Sequence, residues 1–264
     1  MLRSVFTKTL WDQRRALLGW TIGITAVGVG YAAFYPAIDS PEYLDMLESF
    51  PEGVLDAMGF ADIASAAGYV GSTTFGLLGP ALVIVMAAAL GGSAIAGDEE
   101  SGRLDLTLAH PISRWAFIVQ RFAALVAAMV LVSAALAVAL MAIAGPAELD
   151  SIGPANLAAG SLHLALLGTV FGALAMAVGA ATGRRSLVYA VVAVVGVAGF
   201  FGNNLGPSIE ALAWLRDVSP FHYYSGGLPL RNGVQFVDIA VLAIASLVLL
   251  LLGGVRFDRR DLAV

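Results

Sequence analysis

The residues able to carry out chemistry are few and widely separated. The chain has no cysteine, one lysine at Lys8, and three histidines at His110, His163 and His222. A phosphate-binding ATPase loop needs a lysine after a Gly-rich turn, and Lys8 follows none, so we expect no ATP hydrolysis by that route. Three scattered histidines do not close a metal site, and without cysteine there is no thiolate ligand, disulfide or thiol catalysis. We therefore expect no catalytic site and no metal site.

Charge is densest between Gly97 and Arg114. Three consecutive acids, Asp98 to Glu100, are followed by Arg103 and a leucine-rich segment. An apolar face is formed by Leu104, Leu106, Leu108 and Ile112. Pro111 would stop this helix, and Ser113 can cap the next one. This pattern predicts a short helix beside a membrane over residues 97–114, rather than a bare turn.

The elements that must position these residues are membrane spans. Hydrophobic residues make up 59% of the chain, charged residues 12%, and the mean hydropathy is +0.86. A helix crosses the roughly 30 Å hydrocarbon core in about 20 residues. Six windows qualify: Leu17–Tyr35, Ser72–Ala96, Trp115–Ala144, Asn156–Ala181, Leu187–Leu205 and Phe236–Val255. Only the third is long enough to suggest a tilt or a bend. We predict an all-α, six-span protein, forming a single transmembrane domain over residues 1–264.

The basic residues predict the orientation. Asp39 to Asp62 carries seven acids and no base. Arg216 and Arg231 lie in the last outer loop with Glu210 and Asp217. The remaining bases fall on the other side: Arg3, Lys8, Arg14, Arg15, Arg103, Arg114, Arg121, Arg184, Arg185, Arg256, Arg259 and Arg260. The positive-inside rule places that side, with both termini, in the cytoplasm. The net charge of −5 gives no indication of nucleic-acid binding.

Three segments outside the spans have helical or interfacial patterns. Over residues 1–14, Leu2, Val5, Phe6 and Leu10 share a face near Trp11, which predicts an amphipathic helix in the cytoplasmic interface. The outer loop 36–71 predicts two short helices broken at Pro51. The outer loop 206–235 contains the run Ser219–Tyr224, whose aromatic rings suit an interfacial belt or re-entry.

The span interiors are poor in titratable groups. Only His163 falls inside them, near an outer end, and Arg121 and Asp238 lie close enough to span ends to snorkel. An ion-coupled carrier is therefore disfavoured. Glycines at many positions favour close helix packing. Candidate substrate-path residues among the remaining polar groups are Thr73, Thr74, Asn203 and Asn204.

The order of several motifs resembles one family. Ala96 to Arg114 has an acid pair, a glycine, a leucine-rich turn and a Pro-x-Ser-Arg ending. Supporting matches are Phe50-Pro51-Glu52, Met58-Gly59, Gly68-Tyr69, Ser219–Tyr224, and Phe257 with Arg259–Leu262. Over nearly its whole length the chain resembles the integral membrane subunit of ABC exporters of the second export superfamily, which move drugs, antibiotics, lipids and polysaccharides. Many family members have Thr at the position of Arg103.

The resemblance implies partners and a mechanism. A second permease subunit, identical or different, and one cytosolic ABC ATPase per subunit are expected in a cell membrane, the inner or plasma membrane of a bacterium. ATP and Mg would be bound by the ATPase and no cofactor by this chain. Asp98, Glu99, Glu100, Gly102, Arg103, Leu104, Leu106, Leu108, Pro111 and Arg114 would belong to a coupling helix docked on the ATPase. Phe6, Leu10 and Trp11 would belong to an interface helix beside it.

Two alternatives remain open in the sequence: a secondary carrier working without an ATPase, and a non-transport membrane scaffold that binds a partner without turnover. The substrate is equally open. A span composition rich in Ala, Val, Leu and Gly favours an amphipathic drug-like or lipid-like molecule over a sugar chain.

Overall fold

Six long apolar helices account for most of the chain. The computed structural model describes residues 4–38, 65–109, 111–206 and 210–260. The helices long and apolar enough to cross a membrane are span 1 (Val5–Ala37), span 2 (Ala66–Glu100), span 3 (Arg114–Ala142), span 4 (Pro154–Thr182), span 5 (Arg185–Asn204) and span 6 (Phe236–Arg259). The prediction of an all-α protein with six spans is confirmed, and each observed helix covers almost all of its predicted window.

Span 1 also includes the segment predicted as a separate interface helix. Helix Val5–Ala32 runs unbroken, with the Ser4 side chain accepting a hydrogen bond from the Thr7 amide at its start. No glycine or proline lies between Val5 and Ala16. Nothing there interrupts the backbone ladder, so residues 5–14 continue directly into span 1, and residues 1–3 of the predicted interface helix lie outside the described residues. Helix Tyr35–Ile38 completes the span.

Span 2, rather than span 3, is the irregular one. It consists of helix Ala66–Ser72, a π-helical segment Thr74–Leu78, helix Gly79–Gly92, a second π-helical segment Ser93–Gly97, and the turn Asp98–Glu100. The Leu78 amide donates to the Thr73 carbonyl, five residues earlier, at 3.4 Å. Pro80 has no amide hydrogen, which favours a local departure from the α-helical ladder. Spans 1 and 2, with 33 and 35 residues, are both longer than span 3, with 29, so length does not single out span 3 as the sequence windows predicted.

The segment between spans 2 and 3 is only partly helical. Helix Arg103–Leu108, hereafter the loop helix, follows a turn in which Gly102 has φ +68°, a conformation that glycine adopts without steric cost. Ser113 caps span 3, accepting from the Ala116 amide at 3.1 Å, as predicted. The predicted helix over 97–114 is therefore divided, because residues 98–100 continue span 2 and the loop helix ends before Pro111.

Span 4 forms the centre of the bundle and packs against spans 2, 3, 5 and 6. Glycines permit the close approach. A Cβ at Gly91 of span 2 would lie 2.6 Å from the Gly172 carbonyl oxygen, and a Cβ at Gly172 would lie 2.4 Å from Leu125. Spans 1, 5 and 6 are largely exposed on their outer sides, where Ile22, Val194, Leu251 and similar residues face outward.

Contacts define two ends of the bundle. At the basic end, the backbone amide of Phe6 at the start of span 1 donates a hydrogen bond to Gln120 of span 3. Arg114 of span 3 donates a hydrogen bond to the Phe257 carbonyl at the end of span 6. The opposite end contains the short helices Glu210–Leu212, Trp214–Val218, Pro220–Ser225 and Pro229–Asn232. Phe221, Tyr224 and Leu230 are buried against the bundle. The side of the membrane that the basic end faces stays a prediction, and the predicted helices around Pro51 lie outside the described residues.

Close packing at Gly91 can be tested by adding one methyl group. We expect Gly91→Ala to destabilise the protein by about 1–3 kcal/mol, because the new carbon would overlap a backbone oxygen that cannot move freely. Thermal unfolding in mild detergent, followed by size-exclusion chromatography, measures this. The matched control is Gly19→Ala, where no heavy atom lies within 4 Å. Equal melting temperatures for the two variants would contradict the packing.

Candidate functional site: an acidic junction at the basic end

Three consecutive acids at the end of span 2 each bind a different part of the bundle. We refer to Asp98, Glu99 and Glu100 together as the acidic junction. Asp98 binds the loop helix and span 3, Glu99 binds the end of span 6, and Glu100 binds the start of span 5. The residues at which the sequence predicted docking to a partner are thus used first to join this chain's own helices.

Asp98 is the most buried member of the junction. Its side chain is 9% exposed, and each carboxylate oxygen has its own arginine. Arg103 donates from Nε at 3.1 Å and from Nη2 at 3.0 Å to Oδ1. Arg121 Nη2 pairs with Oδ2. The carboxylate therefore bridges the end of span 2, the loop helix and span 3.

Arg121 does not snorkel, contrary to the prediction from its place near a span end. Its side chain is 11% exposed, its guanidinium lies 5.1 Å from the centre of the Phe117 ring, and it pairs inward with Asp98. A buried arginine is costly unless it is paired, and the facing acid on span 2 supplies the pair. The sequence contained this signal, because Asp98 and Arg121 stand at the facing ends of two consecutive spans with opposite charges.

Glu99 and Glu100 fasten the junction to spans 4, 5 and 6. Glu99 Oε2 pairs with Arg260 Nη2. The Glu99 carboxylate also covers Gly183, the residue in left-handed conformation that ends span 4, where a Cβ would lie 2.7 Å from Oε2. Glu100 Oε1 accepts the Arg185 amide at 2.9 Å and so satisfies a free donor at the start of span 5.

Arg114 closes the other side of this end. Its Nη1 atom donates to the carbonyl oxygens of Phe257, Asp258 and Arg260 at 2.9, 3.2 and 2.8 Å. A cation at a helix C-terminus satisfies unpaired carbonyls and interacts favourably with the helix dipole. Arg114 thus caps span 6, which is a more specific role than a positive-inside anchor.

The loop helix has one buried and one exposed leucine among those described. Leu104 is 1% exposed, whereas Leu106 is 70% exposed. Asp105 and Pro111 are also exposed. The placement of the Leu108 side chain and of His110 lies outside the described part of the chain. The predicted apolar face therefore separates into an anchor towards the bundle and an apolar side chain directed away from it.

The predicted interface residues occupy different sides of span 1. Phe6 and Leu10 are half-buried, and the Phe6 amide donates to Gln120 Oε1 at 3.3 Å. Trp11 is exposed, with the Arg14 guanidinium 4.3 Å from its ring centre. This part of span 1 packs on span 3 through one side and presents an aromatic ring with a cation on the other.

The predicted substrate-path residues make separate hydrogen bonds on spans 2 and 5. Thr73 donates to the Tyr69 carbonyl at 2.6 Å and Thr74 to the Gly28 carbonyl of span 1 at 3.4 Å. Asn203 bonds to its neighbour Asn204 on span 5. Among the residues described, no hydrogen bond joins the two pairs, and their place along a substrate path stays a prediction.

The opposite end contains buried polar contacts that the sequence did not reveal. The Tyr224 hydroxyl donates to the Phe75 carbonyl in the π-helical segment at 2.6 Å, and burial raises the pKa of this hydroxyl well above its usual range. His163 is fully buried. It accepts the Gln235 amide at Nε2 at 3.4 Å, so its Nδ1 carries the proton and donates to the Tyr224 carbonyl at 3.2 Å. Phe221 and Tyr224 of the aromatic run Ser219–Tyr224 are packed into the bundle. The sequence predicted an interfacial belt or a re-entry for this run.

Within the described ranges, no group of three or more His, Asp or Glu side chains comes close enough to hold a metal ion. At the acidic junction the carboxylates are occupied by arginines or a backbone amide. The arrangement joins helices and is suited to transmitting movement.

Comparison with known families gives a match over nearly the whole chain. Residues 2–258 match the family described as "Multidrug efflux system permease Rv1217c, C-terminal domain". The match spans nearly the whole chain and includes all six spans except the last residue of span 6. No curated protein matches the chain.

Removing the cap on span 6 should loosen the basic end. We expect Arg114→Ala to lower the apparent melting temperature by on the order of 5 °C, since hydrogen bonds from a charged donor contribute roughly 1.5–3 kcal/mol. Arg259→Ala is the matched control, because Arg259 is an exposed arginine at the same end. The capping role would be refuted by equal melting curves for the two variants in the same detergent.

Proposed function

The chain belongs to the multidrug efflux permease family that it matches, and we propose from this membership that it is the membrane subunit of an ATP-driven exporter. The observation that supports this most is the match over residues 2–258 to an efflux permease. A permease of this kind needs an energy source, and the single lysine of this chain is not placed to bind ATP. We assign ATP and Mg to a separate cytosolic ABC ATPase and no cofactor to this chain.

The loop helix is the proposed docking element for that ATPase. Leu106 is largely exposed and follows exposed charges at Arg103 and Asp105 in the loop helix. An apolar anchor within a charged rim is a common arrangement at protein interfaces, where the charges steer encounter and the apolar group contributes affinity. Leu104 fixes the helix to the bundle from the other side.

Glu99 and Glu100 receive a different role in this proposal. Both acids already bind residues of this chain, Arg260 and the Arg185 amide. Reversing their charge would disturb spans 5 and 6 whatever the ATPase does. The docking surface is therefore centred on Leu106 and Asp105, while the acidic junction carries movement into the bundle.

The proposed substrate path lies between two permease units. Thr73 and Thr74 lie on span 2, whereas Asn203 and Asn204 lie on span 5, and each pair makes its own hydrogen bonds. Spans 1, 5 and 6 have exposed apolar sides that either lipid or a second unit, identical or different, would cover. Such surfaces suit an amphipathic drug-like or lipid-like substrate. Closure of two ATPases would push the loop helices together and open the path at the opposite end.

A tagged chain should capture its ATPase through Leu106. We expect wild type, purified in mild detergent from its native membrane, to retain a cytosolic ATPase, and Leu106→Glu to retain at least about tenfold less, since burying an unpaired charge at an interface costs several kcal/mol. Leu212→Glu, the same change at an exposed leucine of the opposite end, is the control. An ATPase-free wild type would refute the proposal, and equal capture by both variants would refute docking through Leu106.

The orientation can be tested with single cysteines, because the chain contains none. Arg184→Cys lies at the basic end and Asn232→Cys at the opposite end, and both positions are exposed. If the positive-inside rule holds, a membrane-impermeant maleimide should label Asn232→Cys in intact cells and Arg184→Cys only after lysis. The reverse pattern would invert the topology.

A further inference from the structure

We propose that Asp98 is the positioning residue through which movement of the loop helix reaches span 3. The inference rests on the proposed docking of an ATPase at the loop helix. It adds a specific route: the Asp98 carboxylate holds Arg103 with one oxygen and Arg121 with the other. Because the carboxylate is rigid, a displacement of Arg103 shifts the Asp98 carboxylate and, with it, Arg121.

The backbone alone is a poor connection between the loop helix and the bundle. Gly102, at φ +68°, joins the loop helix to span 2, and nothing would lie within 4 Å of a side chain there. A glycine turn with open space around it bends at little cost. The loop helix is therefore held at its start by side chains: Leu104, buried in the core, and Arg103, bonded to Asp98.

The two arginines differ in a way that suits transmission. Arg103 is 64% exposed, so it can follow a partner bound to the loop helix, whereas Arg121 is 11% exposed and enclosed. Asp98 is the hydrogen-bond partner of Arg121 among the described residues, and Arg121 Nε is buried without one. The position of Arg121 thus depends on Asp98.

Arg121 is in turn packed against the rest of the basic end. Its guanidinium lies over Phe117, and the Phe117 ring stacks on Phe257 of span 6 with ring centres 6.0 Å apart. Asp98 itself directly follows the π-helical segment Ser93–Gly97. π-Helical turns are rare and often mark functional positions. The carboxylate therefore lies between a π-helical segment and a packed aromatic pair.

The test uses Arg103, because Asp98→Asn would leave Arg121 buried without its counter-charge and could unfold the protein. The permease–ATPase complex, reconstituted in lipid vesicles, is assayed for ATP turnover with and without a fluorescent amphipathic cation as the transport probe. With turnover and transport divided by the amount of ATPase that each variant binds, we expect Arg103→Gln to lose about fivefold or more of the probe-stimulated turnover and transport. Arg103→Lys, which keeps a charged donor, should restore most of it. Arg184→Gln, an exposed arginine of the same end, is the matched control.

A second measurement needs no ATPase. Spin labels at Ala109→Cys and Ala123→Cys, both exposed positions, report the distance between the loop-helix end and span 3. A narrow distance distribution that broadens in Arg103→Gln and narrows again in Arg103→Lys supports the route through Asp98. An unchanged distribution in Arg103→Gln, or full probe-stimulated turnover by that variant, overturns it. Failure of wild type to bind any ATPase would refute the proposed function instead, while the spin-label result would still decide the route.

Discussion

The basic end of the bundle depends on one buried ion pair, between Asp98 and Arg121. Both side chains are about nine-tenths enclosed, and neither would be stable there alone, because an isolated ion in an apolar surrounding is several kcal/mol too costly. The pair therefore requires spans 2 and 3 to stay in register at this depth. Arg103, Glu99 and Glu100 extend the same constraint to the loop helix and to spans 5 and 6. Such a pair specifies an arrangement more than it adds stability.

Different kinds of interaction hold the helices together at the two ends of the bundle. At the basic end, carboxylates and arginines join helices that arrive from distant parts of the sequence. At the opposite end, Tyr224 and His163 bind backbone groups within an aromatic and aliphatic core that includes Phe171 and Phe221. The charged groups of an ion pair can bind water or the charged groups of a partner in place of each other. Packed aromatic rings have no such replacement and must expose apolar surface when they separate. The basic end is therefore the better place for a partner to exert control.

Long apolar windows predicted the six spans because length and composition alone decide whether a helix can cross a bilayer. The residue pattern between spans 2 and 3 also indicated a short helix there and the cap at Ser113. Sequence patterns failed where tertiary partners decide the outcome. Arg121 was expected to snorkel, but its environment is set by an acid on another span. The segment 1–14 was expected to form a separate interface helix, yet residues 5–14 contain no helix breaker and are continuous with span 1. The roles of Glu99 and Arg114 depend on contacts more than 140 residues away in sequence, which no local pattern encodes.

Span 2 contains two π-helical segments, Thr74–Leu78 and Ser93–Gly97, on either side of helix Gly79–Gly92. A π turn accommodates one more residue than an α turn, and each extra residue rotates the rest of the helix by about 100°. The direction in which Asp98 points thus depends on how many residues precede it in span 2, as well as on their types. A related chain that is one residue shorter between Thr74 and Gly97 would need its gap placed inside the helix, at a π segment. An alignment that moved the gap to a loop would pair the acids of this junction with residues on the wrong face.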